Sequence, residues 1–218
     1  MPKRAIRIQA LTIALSTVPF GVAFGVACKE AGLLWWEAAG FSTIVFGGSA
    51  QFAAVGALSD GGTVATAIAG GALLSLRALA FGVLLAPTLA GPRWFRALTA
   101  QWMIDESTAV AVAQSDPVLR RYGYLSAGLA VFVLWNLATL VGFFAATSLG
   151  DKIQAWGLDA TIPAAFLAML WPRLQQPHLR RIALIGLAIA AVTVPFTPPG
   201  IPIVLAAGAV LFARGRQA

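Results

Sequence analysis

Charge is scarce in this sequence. Only 11% of its 218 residues are Asp, Glu, Lys or Arg, where a soluble domain carries about 25%. A chain that is 59% hydrophobic cannot cover its surface for water with so few charges. That excludes an ordinary soluble enzyme and a disordered chain, and leaves an integral membrane protein. One cysteine, Cys28, excludes a disulfide framework within the chain, and one histidine, His178, excludes a His-rich metal site. No Gly-x-x-x-x-Gly-Lys-Ser/Thr segment is present, so nothing here reads as a nucleotide phosphate loop. Acidic residues are the scarcer sign, 8 against 15 Lys and Arg, for a net charge of +7. In a soluble protein that excess would point to nucleic acid. In a membrane protein it marks basic cytoplasmic loops, and no nucleic-acid partner is expected.

What is present is a series of charge-free runs, at 8–28, 38–59, 61–76, 78–92, 122–150, 160–172 and 182–213. A helix needs about 20 apolar residues to cross a ~30 Å hydrocarbon core. Runs 8–28 and 122–150 suffice alone, and 61–92 is one span interrupted by Arg77. Runs 38–59 and 160–172 hold Gly or Pro where a straight helix disfavours them. None alternates apolar and polar residues as a barrel strand does. The expected fold is an all-α polytopic membrane protein with about 6–7 transmembrane helices, some of them broken or re-entrant.

A single helix over 182–213 would be about 48 Å long, more than an ordinary membrane is thick. Pro195, Pro198, Pro199, Gly200 and Pro202 interrupt its middle. The pattern predicts a hairpin, with helices near 181–196 and 202–214. Arg180 and Arg181 precede it and Arg214 and Arg216 follow it, which puts both ends, and the C-terminus, in the cytoplasm. The loops with Asp60 and with Asp151, Lys152 and Asp159 are neutral or acidic and are expected to face out. The basic N-terminus (Lys3, Arg4, Arg7) sets a conflict. If 8–28 and 31–58 both cross, the N-terminus is outside; if it is inside, 31–58 must re-enter. Parity does not decide between them, and the basic residues lean slightly towards re-entry. The start also has the look of a signal peptide, but no convincing cleavage site follows it.

Residues 93–121 carry Arg93, Arg96, Asp105, Glu106, Asp116, Arg120 and Arg121. They read as an amphipathic cytoplasmic helix joining two halves, 8–90 and 122–214, of one transporter-like domain over 1–218. Each half offers a long span, then a broken segment, then further helix, a layout that internal repeats produce in transporters. The similarity between the halves is too weak to assert a repeat.

Phe46-Gly47-Gly48-Ser49-Ala50-Gln51-Phe52 carries the strongest local signal. Adjacent glycines followed by Ser and Gln weaken a helix, and irregular backbone at membrane depth is tolerated only where it lines a cavity or is buried in protein. A helix restarting near Ser49 would aim free N–H groups at whatever precedes it, a setting suited to a substrate carboxylate. Close packing through small residues is the competing reading, and the stronger one for Gly21-Val22-Ala23-Phe24-Gly25.

Arg77 stands roughly 20 Å by helix rise from either end of 61–92, too far for its side chain to reach water by snorkelling. It must face the protein interior or a wet cavity, and there it either meets substrate or caps carbonyls freed by a broken helix. Asp105 and Glu106 would be turned about 100° apart on a helix. They read as a solvated face, or as proton-coupling or ammonium-binding carboxylates. Asp159 precedes Thr161 and Pro163, where it would cap a half-helix or serve in coupling. Asn136 and Thr139 read as interhelical hydrogen bonds, Trp35 and Trp36 as interfacial belt residues, and His178 has no assigned role.

The stretch from Ser42 to Ala54, with Gly-Ser-Ala-Gln-Phe at its centre, resembles the AzlC family, the larger subunit of branched-chain amino acid exporters. Shorter matching pieces follow in order along nearly the whole chain: Pro19 to Gly25, Leu76-Arg77, Ala86-Pro87, Asp105-Glu106, Leu158-Asp159, Pro163 to Leu167, and Pro199 to Pro202. Ser75 and Ala78 flank Arg77 where the family pattern often has Asn before it and a His or polar residue after it. The resemblance implies a secondary transporter subunit of the bacterial inner membrane. It would export valine, isoleucine, leucine and methionine on a proton gradient, beside a small AzlD-type membrane partner. The expected substrate site comprises Gly47, Gly48, Ser49, Gln51, Phe52, Arg77 and Phe166. Asp105, Glu106 and Asp159 are the coupling candidates, with no cofactor and no metal.

Two other classes stay in view. An intramembrane enzyme would need a base beside Ser49, and His178 lies in a basic loop. A scaffold or channel subunit without transport would have no evident need of a guanidinium at Arg77.

Overall fold

The computed structural model describes residues 2–149, 161–197 and 201–213. The chain is all-α, with no strand among the described residues. Four helical stretches are long and apolar enough to cross a membrane: Lys3–Glu30, Val64–Leu85, Pro117–Ser148 and Pro177–Phe196.

The centre is a pair of long helices, α1 (Pro2–Glu30) and α8 (Pro117–Leu149). They run parallel, since the Lys3 ammonium lies 5.4 Å from the Tyr122 ring centroid at one end and that of Lys29 lies 5.7 Å from Phe143 at the other. Small residues let the backbones touch. A Cβ on Gly25 would strike the Thr139 carbonyl, one on Gly142 would strike that of Val22, and one on Gly21 would lie 2.8 Å from Ala138 Cβ. This is the small-residue crossing read from Gly21 and Gly25, with Gly142 as its reciprocal member. Gly142→Ala is therefore expected to destabilise the fold by about 1–3 kcal/mol, because rigid backbone must move. A thermal ramp followed by size-exclusion of the detergent-solubilised protein measures it, and an unchanged midpoint would contradict the close approach.

Two parallel helices require the intervening chain to return to the side where α1 began. It does so by one crossing and two re-entrant hairpins. The first hairpin is α2 (Trp35–Ile44) and α3 (Gly48–Ser59). The Glu37 carboxylate accepts from the Leu34 N–H at 2.8 Å and fixes the start of α2. Its path can be followed along α8. Ser42 Oγ meets Thr139 Oγ1 at 3.3 Å, and the Phe46 ring centroid lies 5.1 Å from that of Phe132. The chain then turns back, and Phe52 packs on Phe24 at 5.6 Å while Phe41 packs against the Ala54/Ala57 cluster. The Gln51 amide donates to the Ser42 carbonyl at 3.2 Å, a bond possible only if the chain doubles back at Gly47–Gly48. The alternative of a full crossing over 31–58 is not what the chain adopts.

The crossing itself is α4 (Val64–Ser75) and α5 (Arg77–Leu85). Thr63 caps α4 by accepting from the Thr66 N–H at 3.2 Å. The two helices meet at Leu76, where tighter backbone bonds from Leu76 to Leu73 and from Leu79 to Leu76 replace the regular pattern.

The second hairpin replaces the single amphipathic helix expected over 93–121. It consists of α6 (Arg93–Ala100), a turn, and α7 (Asp105–Val112). Tyr124 Oη donates to the Thr99 carbonyl at 2.6 Å, Trp102 packs on Gly128, and Ile104 packs with Val131 and Ala14. The chain then retraces its path, with Val110 against Ala127 and Ala111 against Tyr124. Its charges therefore do not share one wet face. Arg93 and Arg96 open the hairpin, while Asp105 and Glu106 stand at its tip.

Beyond residue 160 come α9 (Thr161–Leu174), α10 (Pro177–Thr193) with a 3₁₀ turn at Val194–Phe196, and α11 (Ile201–Ala207) with a 3₁₀ segment at Gly208–Ala213. Helices thus stand on both sides of the expected turn, whose Pro198, Pro199 and Gly200 lie outside the described residues, and Gly186 of α10 faces the Ala206 carbonyl. Asp159, Arg214 and Arg216 lie outside the described residues.

Candidate functional site

The two hairpins enter from opposite faces and their tips meet. Both touch Phe132 of α8, whose ring centroid lies 5.1 Å from Phe46 and 6.4 Å from Trp102. The Gln101 amide ties them together, donating to the carbonyls of Thr43 at 2.6 Å and Ile44 at 3.0 Å. Those carbonyls end α2 and have no intrahelical partner, so Gln101 satisfies groups that would be costly to leave bare away from water.

Beside the tips lies a cavity of about 210 Å³. Gly47, Gly48 and Ser49 line it from the first hairpin, Ile104, Asp105 and Glu106 from the second, and Arg77 from the break between α4 and α5. Ser16, Thr17 and Phe20 of α1 and Val131 and Trp135 of α8 complete the wall, with Phe46. All stand near the middle of α1 and α8, well away from the helix ends.

Two helices begin at this cavity. The N-cap of α3 is Gly47, which has no side chain to cover the free N–H groups behind it. At α7 the Ile104 N–H donates to Ser107 Oγ at 3.2 Å, and that hydroxyl donates to the Trp102 carbonyl at 2.5 Å. Ser107 so fixes the turn from which α7 starts, and the Glu106 carboxylate accepts from its own backbone N–H there. Two partial positive ends converge, and Arg77 adds a full charge. Asp105 answers it. Its carboxylate accepts from Arg77 Nη1, with about a third of each side chain exposed (36% and 37%). The remaining wall is apolar and aromatic apart from Ser16 and Thr17, whose hydroxyls donate to the Ile13 and Ala14 carbonyls of α1. Trp135 is only 6% exposed, stacks with Phe24 at 6.3 Å, and has an indole N–H without a partner. A buried donor without an acceptor is costly.

The sequence-named residues separate into two groups. Gly47, Gly48, Ser49, Arg77, Asp105 and Glu106 come together at the cavity. Gln51 and Phe52 do not line it. Gln51 is fully buried and braces the hairpin through the Ser42 carbonyl, and Phe52 packs in the core against Phe24. The side chain of Phe166 lies outside the described residues, as does Asp159. Thr139 joins Ser42 across helices as expected, while Asn136 donates to the Phe132 carbonyl of its own helix at 2.8 Å. Ser16, Thr17, Phe20, Gln101, Ile104, Val131 and Trp135 are the residues at the site that sequence reasoning did not reach.

The family model described as AzlC protein matches residues 12–149, a stretch that contains every residue lining the cavity. The chain belongs to the AzlC family. It is 27% identical to the protein named Inner membrane protein YgaZ of Escherichia coli (strain K12), over 93% of this chain and 84% of that one. It is also 28% identical to a protein named Uncharacterized membrane protein of Archaeoglobus fulgidus, over 84% of this chain and 80% of that one. No solved structure matches. Both relatives are named as membrane proteins, this AzlC chain has four described helices long and apolar enough to cross a membrane, and the membership is consistent with a transporter-related subunit. Among the described residues no group of three or more His, Cys, Asp or Glu gathers to hold a metal ion.

Proposed function

We propose that the chain is the substrate-carrying subunit of a secondary exporter of branched-chain and similarly hydrophobic amino acids. One observation carries the reading. A cavity near the middle of the bundle is lined by two helix N-termini and an Arg–Asp pair together with the apolar side chains of Phe20, Phe46, Ile104, Val131 and Trp135. A free amino acid with an apolar side chain combines the same two kinds of group. Its carboxylate suits the helix ends and Arg77, its ammonium suits Asp105 and Glu106, and its side chain suits the apolar wall. The volume lies below the roughly 300–1,000 Å³ of drug-sized sites, as a small solute requires.

Asp105 and Glu106 are the groups in the cavity able to carry a coupling proton. Export against a gradient would use that proton, and an AzlD-type small subunit would stand beside the chain in a bacterial inner membrane. The basic ends of α1 and α8, with Arg93 and Arg96, would face the cytoplasm. Efflux of preloaded valine from cells expressing the chain with and without its small partner tests the function. Valine leaving no faster than from cells lacking the chain, with the partner present, would overturn it.

Orientation has its own test. In a Cys28→Ser background, a cysteine at position 96 is expected to resist an impermeant maleimide applied to intact cells, and one at position 62 to react. Strong labelling at 96 from outside would reverse the topology.

A further inference from the structure

A second cavity, of about 340 Å³, lies between α5 and α6 and ends at Met103, in the turn of the second hairpin. One wall is Gly82, Ala86 and Leu89, spaced so that small residues of α5 and the turn after it face one way. The other is a single stripe of α6, Arg93, Arg96, Ala97 and Ala100, with Met103 beyond it. The inner end is closed by Met103, whose Sδ would lie 3.7 Å from a Cβ on Gly82. The outer end carries the two arginines.

That outer end sits at the basic end of the bundle. Arg121 donates to the Ala90 carbonyl at 2.8 Å and lies 4.5 Å from the Phe95 ring centroid, so the start of α6 is held beside the start of α8. On the opposite flank of α6, Trp94 and Leu98 are 65% and 63% exposed, the amphipathic signature of a helix end at the membrane–water boundary. Arg93 and Arg96 have no acidic partner among the described residues. The groove thus offers concentrated positive charge at headgroup depth and an apolar slot running inward from it.

We propose that this groove binds one anionic phospholipid, its phosphate between Arg93 and Arg96 and an acyl chain in the slot that ends at Met103. The site has a consequence for the cavity at the tips. α6 leads directly into Gln101 and Asp105, so a lipid wedged against it buttresses the tip of the second hairpin. The proposal does not depend on which solute the protein carries.

The test is native mass spectrometry of the delipidated protein titrated with phosphatidylglycerol or with phosphatidylcholine of the same chain length. The wild type is expected to take up one phosphatidylglycerol in preference to phosphatidylcholine. Arg93→Gln/Arg96→Gln should bind it about thirty-fold more weakly, since each arginine near a headgroup contributes on the order of 1 kcal/mol. Arg93→Lys/Arg96→Lys keeps the charge and should retain most of the binding, which shows that the loss in the Gln variant is not misfolding. Gly82→Leu, which fills the slot and leaves both arginines, should also lose the adduct. Equal uptake of the two lipids, an unchanged adduct in the Gln variant, or displacement of the lipid by millimolar inorganic phosphate would each overturn the proposal.

Discussion

Arg77→Ala is expected to lower valine efflux by roughly 10–100-fold per folded molecule, the loss of one or more charge-assisted hydrogen bonds to the substrate carboxylate. The variant alone is ambiguous, because it also strips Asp105 of its cation. A carboxylate left without a partner lowers the amount of folded protein whatever Arg77 does for substrate. Comparing Arg77→Ala/Asp105→Ala with Asp105→Ala alone separates the two effects, since both lack the carboxylate. If Arg77 serves only to neutralise Asp105, the double variant exports as well per folded molecule as Asp105→Ala. If Arg77 holds substrate, the double variant exports less than Asp105→Ala. Lys at 77 should rescue in part, since it keeps the charge but not the planar fork of donors. Efflux normalised to the monodisperse peak in detergent reads the difference.

Gly48→Leu is expected to abolish export by filling the cavity. A Cβ there would stand 3.0 Å from Trp135 Cη2, and the indole has little room to yield because it stacks on Phe24 inside the core. Leucine adds further atoms in the same direction, at an overpacking cost of about 1–3 kcal/mol. Gly48→Ala asks the ring edge to move by a few tenths of an ångström and should leave a reduced but measurable efflux. Gly40→Leu is the matched control. A Cβ at Gly40 meets nothing within 4 Å, so export there should stay normal. Loss of export in Gly40→Leu equal to that in Gly48→Leu would mean that bulk anywhere in the first hairpin is harmful, and the cavity argument would fail.

The two hairpins differ in how much of them could be read from sequence. The first shows its break, because Gly47-Gly48 is an unfavourable pair in an apolar helix, while whether 31–58 crosses or re-enters stays open in the sequence. The second is masked by its charges. Arg93, Arg96, Asp116, Arg120 and Arg121 belong to its mouth or to the start of α8, while Asp105 and Glu106 sit at its tip. Read in one line, they imitate a wet amphipathic helix. The distinguishing signal is the uncharged octet 97–104, too short to count as a span, followed by two acids where a helix begins. Adjacency also misled at the first tip. Gln51 and Phe52 follow Ser49 closely in sequence, yet α3 turns them into the core and keeps Gly48 and Ser49 at the cavity. The interior depth of Arg77 followed from its distance to either end of the span, but its partner Asp105, 28 residues on, required the fold.

The central claim is that a hydrophobic amino acid occupies the cavity where the tips meet, and side-chain protection at Ser49 tests it most directly. Ser49 lines the cavity and Cys28 is the sole native cysteine, so Ser49→Cys in a Cys28→Ser background places one thiol there. The rate of its alkylation by N-ethylmaleimide would be measured in purified protein with increasing valine, with lysine as the control solute. The account predicts that valine, leucine and isoleucine slow the reaction in a saturable way and that lysine does not. An alkylation rate indifferent to valine, in a variant that still exports it, would contradict the account.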